Sequence, residues 1–232
     1  MIKEPLISVI MPVFDGENFL AQAIRSVLAQ TYKHFELIVV NDGSNDSSKD
    51  IVQKFISITE KIRCIDQENS GVSHARNMGI LASKGDLVAF LDQDDLWADD
   101  TLETQMAFHR QQPDIGYTLA HQVCFLDGIS EPPAWFRLQQ LNAPHVGYLP
   151  GTLVVKREIL DRIGLFDTQY PISSDADWFA RARDAAVLMK ILPQTLLRRR
   201  IHSGNQSRHS KQIQGELTQL LRASIQRKRN AE

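Results

Sequence analysis

Three carboxylates crowd into the four residues Asp92-Gln93-Asp94-Asp95. Like charges this close are costly to keep ionised unless a cation shares them. A hard divalent ion, Mg²⁺ or Mn²⁺, held by one or two carboxylates and completed by water and phosphate oxygens, is the expected companion. The bland alternative is an acidic loop capping a helix that begins near Thr101. Asn41-Asp42-Gly43-Ser44 is a second polar cluster: its aspartate can accept a hydrogen bond from a base or a ribose hydroxyl, or simply close an Asx turn. A third is Gln67-Glu68-Asn69-Ser70-Gly71, followed by Ala75-Arg76-Asn77. Arg76 there can face a nucleotide or its phosphates, or make an ordinary surface salt bridge.

The hydrophobic pattern must carry these clusters. Leu6 to Val13, Phe35 to Val40 and Leu87 to Leu91 are short apolar runs that read as buried strands, and Ile62 to Asp66 reads as a further strand. Helical periodicity fills the gaps, from Phe19 to about Gln30, Ser48 to Ile56, Val72 to Ala82 and Thr101 to Gln111. Alternation of this kind predicts an α/β fold: a Rossmann-like, mostly parallel sheet flanked by helices, with right-handed crossovers. Ligands bind beyond the carboxyl ends of such strands, where all three polar clusters fall. The second half is less regular. Strands are expected at Tyr117 to Phe125, Gly151 to Val155, Val187 to Leu192 and Leu196 to Ile201, with helices to about Ile163, from Ser173 to Arg183 and from Gln214 to Arg227. The segment Asp127 to Val146 shows no period and reads as mobile or acceptor-facing.

Taken together and in this order, several segments resemble the family 2 glycosyltransferases with the GT-A fold. They are Ser8-Val9-Ile10-Met11-Pro12-Val13-Phe14, Ser26-Val27-Leu28-Ala29-Gln30-Thr31, Asn41-Asp42-Gly43-Ser44, Ala75-Arg76-Asn77-Met78-Gly79, the Asp92-Gln93-Asp94 triplet and Gly164-Leu165-Phe166-Asp167. The resemblance implies a nucleotide-diphosphate-sugar donor, UDP-linked by preference, and inverting transfer to an acceptor hydroxyl. Pro12, Val13 and Phe14 would line the base pocket, Asp42 would bind the base and Asp92 the ribose, with Arg76 near the nucleotide. Asp94 would ligate the metal, and His202, in a late motif similar to one in many members, would complete the metal site or meet the pyrophosphate. A lone histidine is as often structural. The family's acidic general base falls on Asp175, with Asp177 a competitor about 200° further round the helix. A helix start lowers a carboxylate's pKa, so Asp175 is expected to be an ionised, weak base. The Gln-x-x-Arg-Trp motif of processive members is absent, which argues for addition of single sugars.

Composition bounds the alternatives. The 232 residues are 43% hydrophobic and 23% charged with a net charge of −2, ordinary for a globular protein and without a nucleic-acid signature. The expected layout is one domain over 1–210, a nucleotide-sugar half (1–100) and an acceptor half (101–210), then a basic helical tail over 211–232. From Lys190 onward ten Lys/Arg face two acids, which suggests peripheral contact with an anionic inner-membrane face, or a homo-oligomer through the tail's apolar residues. Cys64 and Cys124 read as reduced core residues. No signal peptide or membrane span is visible, so a cytoplasmic location is expected. The acceptor is open: a saccharide, a lipid-linked saccharide or another hydroxyl compound. A non-catalytic nucleotide-sugar sensor of the same fold is the main rival. A dinucleotide oxidoreductase is disfavoured, because Pro12 to Asn18 offers a single glycine where a glycine-rich fingerprint belongs.

Overall fold

A computed structural model describes residues 4–206 and 209–229. The chain runs β1 (Ile7–Val13), α1 (Leu20–Leu28), β2 (Phe35–Asp42), α2 (Ser48–Ile56), β3 (Ile62–Gln67), α3 (Val72–Ala82), β4 (Leu87–Phe90) and β5 (Leu96–Trp97). It continues through α4 (Thr101–Gln111), β6 (Tyr117–Leu126), β7 (His145–Val146), β8 (Val154–Lys156), α5 (Arg157–Ile163), α6 (Ser174–Asp184), β9 (Met189–Ile201) and α7 (Ser210–Arg229).

These strands form one curled sheet of order β3-β2-β1-β4-β8-β6-β9-β5, with β7 paired to β6. The first four are parallel, and β1, β2 and β4 have the near-continuous apolar character of strands covered on both faces, while β3 at the edge is more polar. Every residue of β1 is buried. From β4 onward the pairing turns mixed: β8 runs antiparallel to β4 and β6, whereas β9 runs parallel to β6. Here the observed elements depart from the sequence pattern. Val187 to Ile201, expected as two strands, contributes the single strand β9, and its pairing with β6 skips Pro193 and Gln194, then Leu196. A proline has no N–H to donate, so the ladder bulges there without ending. The two-residue β5 pairs with β9 through Leu96 and Trp97, a contact too short and too distant in sequence to leave a periodic signal.

Core packing explains two of the family-like segments. A Cβ at Gly79 would lie 2.4 Å from the Ile10 side chain, so the glycine lets α3 approach β1 closely. Asn77 clasps the backbone of Phe166, donating to its carbonyl at 2.8 Å and accepting from its N–H at 2.9 Å. Buried Gln30, at the end of α1, donates to the Ala98 carbonyl at 2.6 Å and accepts from the Leu102 N–H at 2.9 Å, which fixes the chain just past the acidic loop. Both cysteines are free, and burial pushes each thiol up to about 11. No helix among the described residues is long and apolar enough to cross a membrane. The last helix packs on α6 through Leu220, while Leu217, Leu221 and Ile225, expected on the same apolar face, are exposed.

Candidate active site

A cleft of about 790 Å³ opens beyond the carboxyl ends of β1, β2 and β4. All nine residues singled out in the sequence line it: Pro12, Val13, Phe14, Asp42, Arg76, Asp92, Asp94, Asp175 and His202. The parallel strands deliver the first group. Pro12 and Val13 are buried at the end of β1, and Phe14, the next residue, leaves 43% of its surface exposed at the cleft.

Asp42 ends β2 with its carboxylate already in use. It accepts from Gln67 Nε2 at 2.7 Å, from the Ser70 N–H at 2.8 Å and from the Gly71 N–H at 2.9 Å. It therefore anchors the loop that launches α3, in addition to facing the cleft. The turn is closed by the neighbouring Asn41, whose Oδ1 accepts from the Ser44 N–H, three residues on, at 3.2 Å. Gly43, at φ +74°, supplies the left-handed residue of that turn.

Arg76 is not on the surface. It is buried on α3, and its Nη2 donates to Asp92 Oδ1 at 2.7 Å. A guanidinium held this way offers the cleft a fixed positive charge beside one acid.

The acidic loop divides its labour. Gln93 latches it to the β1 exit, accepting from the Phe14 N–H at 2.8 Å and donating to the Phe14 carbonyl at 2.9 Å. Asp95 turns inward and accepts from the Arg200 N–H at 2.8 Å. Burial, with Asp94 and Asp92 nearby, pushes its carboxyl well above the usual carboxylate range. Asp94 faces the cleft, its Oδ2 2.9 Å from His202 Nε2 and 3.3 Å from Asn205 Nδ2. Arg200 lies beneath. It donates to the Asp94 carbonyl at 2.7 Å and to Gln22 Oε1 at 2.9 Å, pairs with Asp127, and packs over the rings of Phe19 and Phe125. The roles of Arg200, Gln93 and Asn205 lay beyond sequence reasoning. Part of the basic charge assigned to the tail belongs here, since Arg199 also lines the cleft.

A divalent cation suits this chemistry in one respect. Asp94 and His202 offer an oxygen and a nitrogen close together, and a hard cation with two protein ligands completes its shell with water and phosphate. Among the described residues no group of three or more His, Cys, Asp or Glu side chains is placed to hold a metal, so the phosphates would have to contribute.

Asp175 opens α6 and reaches the cleft, where its Oδ1 accepts from the Ala176 N–H at 2.7 Å. Its pKa is raised, not lowered as a helix start alone predicts: burial outweighs Arg76 and the Ala176 N–H, with Asp92 adding to the rise. Asp177 does not line the cleft. It is buried and takes Arg181 Nε at 2.7 Å, while the same guanidinium binds the carbonyls of Ile163 and Leu165. Ser174 joins α6 to α3 through a 2.8 Å hydrogen bond with Ser73.

The architecture is the GT-A fold. Staphylococcus aureus TarS, solved with UDP-GlcNAc, matches at TM-score 0.70 and 22% identity, over 88% of this chain and 60% of that one. The Pyrobaculum calidifontis mannosyltransferase PcManGT, solved with GDP-Man and Mn²⁺, matches at TM-score 0.73 and 18% identity, over 97% and 65%. Residues 8–188 match the sequence model of glycosyl transferase family 2, and the chain belongs to that family. An uncharacterized glycosyltransferase of Rickettsia typhi is 33% identical over 210 residues, 85% of this chain and 64% of that protein. The Bacillus subtilis putative teichuronic acid biosynthesis glycosyltransferase TuaG is 42% identical over 106 residues, 45% of this chain and 42% of that protein. The chain thus spans less than two thirds of the Rickettsia relative's length.

Proposed function

We propose that this protein transfers one sugar from a nucleotide-diphosphate sugar to an acceptor hydroxyl, with inversion at the anomeric carbon. The observation that carries the proposal is the convergence of Asp42, the Arg76–Asp92 pair, the Asp94–His202 pair and Asp175 on one cleft at the carboxyl ends of parallel strands. A sensor needs only the donor half of that arrangement. An acid that is ionisable and cleft-facing is what a transferase adds, and Asp175, which among the described residues has no side-chain hydrogen-bond or ion-pair partner, supplies it.

In this reading Pro12, Val13 and Phe14 border the base, Asp42 meets its polar edge, and Asp92, braced by Arg76, takes the ribose. Uracil is the favoured base, since TarS was solved with UDP and with UDP-GlcNAc; the GDP-Man complex of PcManGT makes guanine the alternative. Asp94 and His202 would hold Mn²⁺ or Mg²⁺, which when bound offsets charge on the diphosphate leaving group. Asp175 accepts the acceptor's proton as its oxygen bonds to the anomeric carbon, and the bond to the diphosphate oxygen breaks on the opposite face. The segment beyond β6, from Asp127 to Val146, would border the acceptor; its Asp127 and Ile129 line the cleft.

Calorimetry with UDP and GDP, each with and without Mn²⁺, followed by turnover of UDP-N-acetylglucosamine and GDP-mannose, tests the proposal. Saturable, Mn²⁺-strengthened binding of one nucleotide is expected. Absence of binding to both would sink it. The base pocket carries its own expectation. Asp42→Asn keeps acceptor capacity on one oxygen but loses the charge, and should weaken the preferred nucleotide about tenfold, near 1.4 kcal/mol. Asp42→Ala should weaken it further, because the Ser70–Gly71 loop loses its anchor. Unchanged affinity in both variants counts against a nucleotide role for Asp42.

A further inference from the structure

The candidate base stands at the start of a helix whose own cap is missing. Ser173, the N-cap of α6, makes no side-chain capping hydrogen bond. Its backbone N–H goes instead to Glu216 Oε2, at 2.7 Å, and the Ile172 N–H reaches the same oxygen at 3.3 Å. Glu216 lies on α7, is buried, and has its other oxygen held by Gln212 Nε2 at 2.9 Å. Ile172 lines the cleft, and Asp175 is three residues on. The far end of α6 is tied separately: Asp184 accepts from Ser224 Oγ at 2.7 Å and pairs with Arg227 Nη2 at 3.0 Å. Two anchors on α7 therefore grip the two ends of the helix that carries Asp175, and only one of them lies next to the cleft.

We infer that Glu216 is a positioning residue for transfer: from the C-terminal helix it caps α6 and fixes the backbone that aims Asp175 at the acceptor. The inference rests on the reading of Asp175 as the base. A buried carboxylate spent on two main-chain N–H groups is costly to desolvate unless those bonds are made, so the contact is specific rather than incidental. Both N–H groups go to one oxygen, so a glutamine whose carbonyl takes that place can still accept them. An alanine cannot. Asp184 gives a built-in control, because it also ties α7 to α6 but at the end away from the cleft.

The test uses the full chain and three variants, Glu216→Ala, Glu216→Gln and Asp184→Ala. Hydrogen exchange should accelerate at the Ile172 and Ser173 amides in Glu216→Ala alone. With UDP-N-acetylglucosamine and GDP-mannose as donors, kcat should fall about tenfold to a hundredfold in Glu216→Ala, as misplacement of a catalytic group does. The KM for donor and the calorimetric affinity for UDP or GDP with Mn²⁺ should hold. Glu216→Gln should recover most of the rate, and Asp184→Ala should lower the melting temperature while sparing kcat. Unchanged exchange at Ile172 and Ser173 in Glu216→Ala overturns the inference, and so does an equal loss of kcat in Glu216→Ala and Asp184→Ala. If Glu216→Ala does not fold, Glu216→Gln with the rate of wild type and Asp184→Ala with intact kcat support it, and a kcat lost in Asp184→Ala overturns it. Asp175→Asn run alongside separates the two readings: normal turnover there removes the base itself, whereas slow turnover there with a normal Glu216→Ala removes only the role of Glu216.

Discussion

Asp175→Asn should lower kcat by ~10² or more while leaving donor affinity nearly intact. The asparagine keeps the shape and the hydrogen bond to the Ala176 N–H, and loses only the ability to take a proton. Asp177→Asn should do the reverse. Its carboxylate is buried in an ion pair with Arg181, so the cost falls on stability, about 3 kcal/mol for unpairing a buried charge, and little on kcat. The pH dependence follows from the raised pKa of Asp175. As pH falls through that value the carboxyl becomes protonated and can accept nothing, so the acid limb of kcat should lie above the ordinary carboxylate value of about 4. The limb should vanish in the asparagine variant. A carboxyl whose pKa is raised by folding binds its proton more tightly in the folded state, so its ionised form costs stability at neutral pH. Asp175→Asn should accordingly melt no lower than wild type at pH 7. Reversed effects of the two variants would move the base to Asp177; normal turnover in both would remove general-base catalysis from this protein.

Loss of the cation should be at least as severe. Asp94→Ala and EDTA treatment of the native protein should each reduce turnover by about a thousandfold or more, since a Lewis acid on the departing diphosphate is worth several kcal/mol. A second readout does not depend on turnover: Mn²⁺ should tighten UDP or GDP binding in wild type and leave it unchanged in Asp94→Ala. His202→Ala should keep a weaker version of both effects, because it removes one of two protein ligands. The structural risk in Asp94→Ala is small. Arg200 holds the Asp94 backbone carbonyl, and Asp95, not Asp94, receives the Arg200 N–H. Full activity in EDTA would exclude a metal and leave Asp94 as a hydrogen-bond partner of His202 and Asn205.

Much of this was legible in the sequence because the signals are local. Solid apolar runs ending in Asn41-Asp42 and Asp92-Gln93-Asp94 define parallel strands and the edge where ligands bind, and helices α2, α3 and α4 begin and end where periodicity places them. Carboxylate spacing alone suggests a cation. What the sequence could not determine is where each charged group points once the chain closes on itself. Asp92, Asp94 and Asp95 read as one cluster, yet Arg76 claims the first, His202 faces the second, and the third is buried and spent on the Arg200 N–H. Those partners come from α3, from β9 and from His202 just past its end, as far as about half the chain away, and no periodicity encodes such meetings. The direction of the Asp175 pKa shift is not legible in the sequence for the same reason: a helix start is visible there, whereas desolvation depends on everything packed around the group. The C-terminal helix was read as a basic tail because charge and periodicity are properties of one segment. Only the tertiary structure shows Glu216 and Arg227 facing inward onto α6, because burial is decided by what a surface meets and not by what it is made of.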